Sequence, residues 1–197
     1  MRFVIALILL VLAGCDKESE PKGQAQPAST AKAGDSDKAE ITLESANGMR
    51  ATLSYKFAGQ KAPSAPFADA QGQDVSLADF EGKPLLLNIW ATWCAPCKAE
   101  MPTLDALAKL EKGRMNVIAV SQDLEGRAPV AAFFTETGVK NLVPYTDTDN
   151  VLLTAFNNAI ALPTTILYDS DGKEVWRVAG GVEWDDAEMA KLLRAAD

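Results

Sequence analysis

The sequence predicts an α/β fold: a three-layer sandwich with a mixed central sheet, preceded by an N-terminal β-hairpin. Three observations predict it. From Pro84 onward, apolar runs of strand length alternate with amphipathic stretches of helix length. Near the end, Thr164–Tyr168 and Lys173–Val178 flank the turn Asp169-Ser170-Asp171-Gly172 and read as antiparallel neighbours. Ahead of all this, residues 41–57 alternate apolar and polar side chains around Asn47-Gly48, a strong hairpin signal. Strands alternating with helices, then a hairpin and a last helix, build a mixed sheet covered on both faces.

The chain opens with Met1-Arg2 and an unbroken apolar run, Phe3–Ala13, too short to span a bilayer as a helix. It suits the apolar region of a secretion signal. The run ends in Leu12-Ala13-Gly14-Cys15, which matches the bacterial lipoprotein signal, so residues 1–14 are expected to be removed and Cys15 lipidated. An ordinary secretory signal with Cys15 as an incidental thiol is the alternative; both place the domain outside the cytoplasm. Asp16, directly after the cysteine, resembles the signal that retains lipoproteins in the inner membrane of a two-membrane envelope. Residues 15–40 are rich in Ala, Lys, Ser, Gln, Asp and Pro without apolar periodicity, and read as a flexible tether. About 25 such residues reach roughly 25–30 Å.

Residues 41–58 form the accessory hairpin. A three-residue turn, Ala46-Asn47-Gly48, pairs Leu43 with Ala51 and Ile41 with Leu53, whereas a two-residue turn would send the apolar sets to opposite faces. The main domain is expected over 64–197. It begins with a short hairpin near Gln71-Gly72 and a helical turn at Leu77–Phe80. Then come a buried strand Pro84–Ala91, a helix Ala95–Lys112, a strand Met115–Ser121, a helix Pro129–Thr137, a strand Leu142–Tyr145 and a helix Asn150–Asn158. After the second hairpin, an amphipathic helix Asp185–Ala195 closes the chain.

Composition narrows the chemistry. The formal net charge is −8, and loss of Arg2 with the signal makes it one unit more acidic, so phosphate backbones and anionic headgroups repel the domain. Nucleic-acid binding is excluded as an expectation. The chain has 0 His, which removes Cys–His proteases, histidine-held metals and histidine general bases together. Of its 3 Cys, only Cys94 and Cys97 remain to the domain once Cys15 carries lipid.

These two cysteines stand where the buried strand ends and a helix begins, in Trp93-Cys94-Ala95-Pro96-Cys97-Lys98. At the helix N-terminus, unpaired N–H groups and the macrodipole stabilise a thiolate at Cys94. Cys97 lies one turn deeper on the same face and can close a disulfide with it. One cysteine can attack and the other resolve.

The run Asn88-Ile89-Trp90-Ala91-Thr92-Trp93-Cys94-Ala95-Pro96-Cys97-Lys98-Ala99-Glu100-Met101-Pro102 resembles the thioredoxin superfamily, specifically its TlpA/ResA-like branch of anchored extracytoplasmic reductases. Ala65-Pro66-Phe67, Leu77–Pro84 and Leu162-Pro163-Thr164-Thr165 carry the resemblance at a distance. It implies a thioredoxin-like sandwich and a membrane-anchored thiol–disulfide oxidoreductase that needs no bound cofactor. It also implies a reductant of protein disulfides, with the haem-binding thiols of apocytochrome c as clients and electrons from an integral-membrane donor. A monomer is expected. By the same resemblance Cys94 is the nucleophile, Cys97 the resolving cysteine and Pro163 a cis-proline whose loop, with Leu162, offers backbone hydrogen bonds to a bound peptide. Pro102 matches the helix-bending proline. Asn88 stands where thioredoxin itself has a buried acid, so another base is needed, and Glu100, one turn past Cys97, is the candidate. Trp93 is expected beside Cys94 on the docking face, and Trp90 in the core.

Two other classes remain in view. A Cu(I) metallochaperone would use the same thiolate pair, though neither histidine nor a third domain cysteine completes a typical site. A non-catalytic thioredoxin-fold interaction module would have no need of both cysteines and the Leu162-Pro163 loop. The direction of electron flow is not legible from Ala95-Pro96.

Overall fold

A computed structural model describes residues 40–45, 48–157 and 160–194. The expected signal segment, Cys15 and the tether up to residue 39 lie outside the described residues. In chain order the elements are β1 (Ile41–Glu44), β2 (Arg50–Ser54), β3 (Phe67–Ala68), β4 (Asp74–Val75), β5 (Leu85–Trp90), α1 (Ala95–Leu110) and β6 (Asn116–Ser121). They continue with α2 (Arg127–Thr137), β7 (Pro144–Thr146), α3 (Val151–Ala155), β8 (Thr164–Tyr168), β9 (Glu174–Ala179) and α4 (Ala187–Leu193). A 3-10 turn occupies Leu77–Phe80.

All the strands join one sheet in the order β1-β2-β9-β8-β5-β6-β7-β3-β4. β5, β6 and β7 run parallel, while β8 and β9 are antiparallel to their neighbours, so the sheet is mixed as expected. All six residues of β5 are buried, because helices cover both of its faces. On one face Leu86, Trp90, Leu167 and Trp176 pack with Met101 and Leu104 of α1, Val130 and Phe134 of α2, and Met189 and Leu193 of α4. On the other, Leu85, Leu87, Ile89 and Ile166 pack with Phe67, Leu77 and Leu152.

The N-terminal hairpin takes the register that its apolar phase requires: Ile41 faces Leu53 and Leu43 faces Ala51. Gly48 has φ 82°, the left-handed conformation that closes a three-residue turn, and Ser45 N–H donates to Met49 C=O at 2.9 Å across its mouth. β2 then pairs with β9, so the hairpin continues the central sheet and buries Ala51 and Leu53 in its core.

Several elements shift by a few residues at an end, and in two of them a carboxylate is the cause. The seventh strand starts at Pro144 instead of Leu142, because Asp105 of α1 accepts from the backbone N–H groups of Lys140, Asn141 and Leu142 and holds them off the sheet. The helix expected from Asn150 to Asn158 is the shorter α3. It begins where Asp147 accepts from Val151 and Leu152 N–H, and it ends before Asn157, whose φ is 56°.

Candidate active site

β5 delivers the chain to the site and α1 receives it. Cys94 is the N-cap of α1 and is joined to Cys97 by a disulfide, with Cα atoms 5.3 Å apart. Cys94 Sγ also accepts from the Cys97 N–H at 3.3 Å, so an unpaired donor of the helix N-terminus points at this sulfur. The two cysteines differ in access: Cys94 keeps 6% of its surface and Cys97 none. Ala95 and Pro96 between them are exposed, and Pro96 stands in the first helical turn, where its missing N–H costs no hydrogen bond. This arrangement suits attack by one sulfur and resolution by the other.

Glu100 lies behind the pair, one turn along α1, and is fully buried. Its Oε1 accepts from Asn88 Nδ2 at 2.7 Å and its Oε2 from Val182 N–H at 3.1 Å. Burial pushes its carboxyl up to about 7, against the opposing pull of the Val182 and Asn88 donors and of the Trp184 indole. The Trp184 indole N–H is buried without a full hydrogen bond and pulls least of the three. Asn88 Nδ2 also donates to Thr165 Oγ1 at 2.9 Å, tying β5 to β8, while Asn88 Oδ1 is buried without a partner.

Leu162-Pro163 is a cis peptide, and Pro163 C=O accepts from Gly180 N–H at 2.8 Å. Leu162 is half-buried against the cluster that contains both cysteines. Trp93 is 68% exposed, whereas Trp90 is fully buried and stacks on Phe134 with ring centroids 5.8 Å apart. Lys98 is exposed. Cys15 lies outside the described residues. The structure thus brings Cys94, Cys97, Glu100 and the Leu162-Pro163 loop to one end of β5 and β8.

Sequence reasoning missed Asp123. This carboxylate, 1% exposed, accepts from Thr92 N–H at 2.9 Å, Thr92 Oγ1 at 2.6 Å and Ser121 Oγ at 2.5 Å. It therefore fixes the loop that carries Trp93 and Cys94 to the end of β6. The next residue, Leu124, is 72% exposed, so a second large apolar side chain stands on a loop anchored to the Trp93 loop. The available signal was weak: an acid two residues past an apolar strand reads as a solvated strand end. Among the described residues, no group of three His, Cys, Asp or Glu side chains is arranged to hold a metal, and no helix is long and apolar enough to cross a membrane.

The family model described as Redoxin matches residues 57–193. The thiol-disulfide oxidoreductase ResA of Bacillus subtilis (strain 168) is 37% identical over 123 residues, spanning 62% of this chain and 67% of the relative. ResA of Bacillus thuringiensis subsp. konkukian is 34% identical over 123 residues, with 62% and 69% covered. Among solved structures, a protein described as a putative thiol:disulfide interchange protein DsbE from Chlorobium tepidum aligns with a TM-score of 0.62 at 25% identity, over 71% of this chain and 98% of that one. The pneumococcal exposed lipoprotein thioredoxin Etrx1 from Streptococcus pneumoniae aligns with a TM-score of 0.56 at 26% identity, over 66% and 96%. With a cysteine pair at the head of α1, this fold and these relatives, the chain belongs to the Redoxin family and is a ResA-like thiol–disulfide oxidoreductase of thioredoxin fold.

Proposed function

We propose that the chain is a lipid-anchored, extracytoplasmic reductase of protein disulfides, held to the membrane through Cys15. The observation that carries the exchange chemistry is the unequal pair at the α1 N-terminus: a slightly accessible Cys94 bonded to a fully buried Cys97. In the cycle we assign, the Cys94 thiolate attacks one sulfur of a client disulfide. A mixed disulfide forms, and the second client sulfur leaves as a thiolate that takes up a proton. Cys97 then loses its proton and attacks Cys94 Sγ; the intramolecular disulfide forms, the mixed bond breaks and the client sulfur first attacked leaves as a thiolate that takes up a proton. Two electrons pass to the client, and a dithiol donor in the membrane restores the pair. No bound cofactor is required.

Glu100 is the proton acceptor for Cys97 in this reading. Its burial and its position one turn beyond Cys97 support the role, and a carboxyl near 7 is matched to neutral pH. Trp93, Leu162 and Pro163 bind the client segment. The apolar run ending at Cys15 supports the anchor, the lipoprotein description of one structural relative agrees with it, and the TlpA/ResA-like resemblance supports the thiols of apocytochrome c as clients.

The deciding experiment is the reduction potential of Cys94–Cys97, by equilibration in glutathione or dithiothreitol redox buffers. A value near or below about −270 mV, that of thioredoxin, supports the reductant. A value near about −120 mV, that of a strong oxidant, reverses the direction. Replacing Cys15 by Ala is expected to move the protein from the membrane to the soluble fraction; retention in the membrane would remove the lipid anchor from the proposal.

A further inference from the structure

β1 and β2 precede the stretch matched by the family model, which begins at residue 57. Yet Met49, the residue before β2, lies near the reactive pair. β2 pairs with β9 through Thr52 and Ala179, and the chain leaves β9 through Gly180-Gly181. Gly180 has φ 106°, and a methyl group on it would lie 2.5 Å from Arg50 C=O, so hairpin backbone and β9 exit are in closest contact there. A methyl on Gly181 would sit 3.3 Å from Met49 Sδ, 3.3 Å from Pro96 C=O and 3.4 Å from Pro96 Cβ. Only about the width of one methyl group therefore separates the Met49 thioether from Pro96, which stands between Cys94 and Cys97. The Leu162-Pro163 loop closes the ring, because Pro163 C=O accepts from Gly180 N–H.

We propose that Met49 is a specificity-determining residue that contacts the disulfide-bearing segment of a protein client while Cys94 is bonded to it. The occupant follows from the reaction. A disulfide holds its two Cα atoms about 4.4–6.8 Å apart, so a client chain bonded to Cys94 must run over the immediate neighbours of that residue. Trp93 and Pro96 are exposed there, and half-buried Met49 extends the Pro96 side. An unbranched thioether adapts its shape to different apolar partners, which suits a surface that meets several client sequences. A small disulfide can reach Cys94 without touching the hairpin.

The inference rests on thiol exchange at Cys94, which reduction of a small disulfide by the unaltered protein tests separately. The full chain, kept reduced by dithiothreitol, is assayed with insulin as the protein disulfide and with oxidised glutathione as the small one, the slow reaction of dithiothreitol alone being subtracted from each, for Met49→Ala, Met49→Leu and Thr42→Ala. The expected result is a roughly fivefold fall in the insulin-to-small-disulfide ratio of kcat/KM for Met49→Ala, carried by KM for insulin. Met49→Leu should restore the ratio. Exposed Thr42, on the same hairpin, should leave it unchanged. An unaltered ratio in Met49→Ala would overturn the proposal. So would an equal fall in Thr42→Ala, which would mean that the whole hairpin and not this contact sets the preference.

Discussion

Glu100 ties protonation to stability in a direction that is unusual for a carboxylate. Its folded value, about 7, exceeds the ordinary 4.5, so between those limits the native state holds a proton that the unfolded chain releases. Stability therefore declines as pH rises from 4.5 to 7, by roughly 3 kcal/mol in all for a shift of this size. Urea denaturation of the oxidised protein should show that decline, and Glu100→Gln should flatten it. Parallel curves for the two proteins would mean that Glu100 does not titrate in this window. Asn88 can follow either state: its Oδ1, now without a partner, can turn to accept from a protonated carboxyl or from the new amide. With 0 His in the chain, a catalytic pH dependence near neutrality has few other sources than this carboxyl and the two thiols. In turnover, Glu100→Gln should slow release of the reduced client by about 10²-fold, the low end for loss of a general base. Single-turnover decay of the mixed disulfide would measure it, and an unchanged decay would remove Glu100 from the proton path. At Asp123, truncation to Ala would strand Thr92 N–H and two hydroxyls. That should cost about 3 kcal/mol in thermal or urea denaturation.

Elements were legible where periodicity or turn chemistry decides. The hairpin register followed from phase alone: Leu43 opposite Ala51 keeps the apolar set on one face, and that face is the one β2 buries. β8 agrees with the expected Thr164–Tyr168 residue for residue, because its five side chains are all buried and form one continuous apolar-and-threonine run. What stayed hidden is long-range carboxylate capture. Asp105, Asp123 and Asp147 are each nearly or fully buried and collect N–H groups from distant or following segments. In sequence such residues look like solvated charges, since their donors are backbone groups that carry no residue-type signal. Glu100 is the same case within the site: its place after Cys97 was visible, but its capture of Val182 N–H depends on the path of the connection between β9 and α4 and not on spacing. Two changes separate these origins of stability. Leu53→Ala removes a side chain 2% exposed in the core and should cost about 3 kcal/mol. Asp105→Ala strands the N–H groups of 140–142 and should cost a similar amount, about 3 kcal/mol, while leaving the apolar core intact. Urea midpoints measure both.

Across the whole molecule, the sheet order puts β5 and the reactive pair in the middle, with the hairpin β1-β2 at one edge and β3-β4 at the other. Charge acts on the same scale. A formal net charge of −8 draws cationic disulfides towards the protein and slows anionic ones. Exchange with cystamine should therefore slow as salt is added, whereas exchange with oxidised glutathione should quicken; equal salt dependence would show that the local field at Cys94 outweighs the global one. The distribution of sulfur has a practical outcome. Of the chain's 3 Cys, Cys97 is fully buried and Cys15 lies in the leading segment, so Cys94 is the one cysteine among the described residues whose thiol another protein can reach. A chain with Cys97→Ala cannot let go of what it has attacked. Expressed in its host, it becomes covalent bait, and each client stays fastened to residue 94 until a reductant frees it for identification.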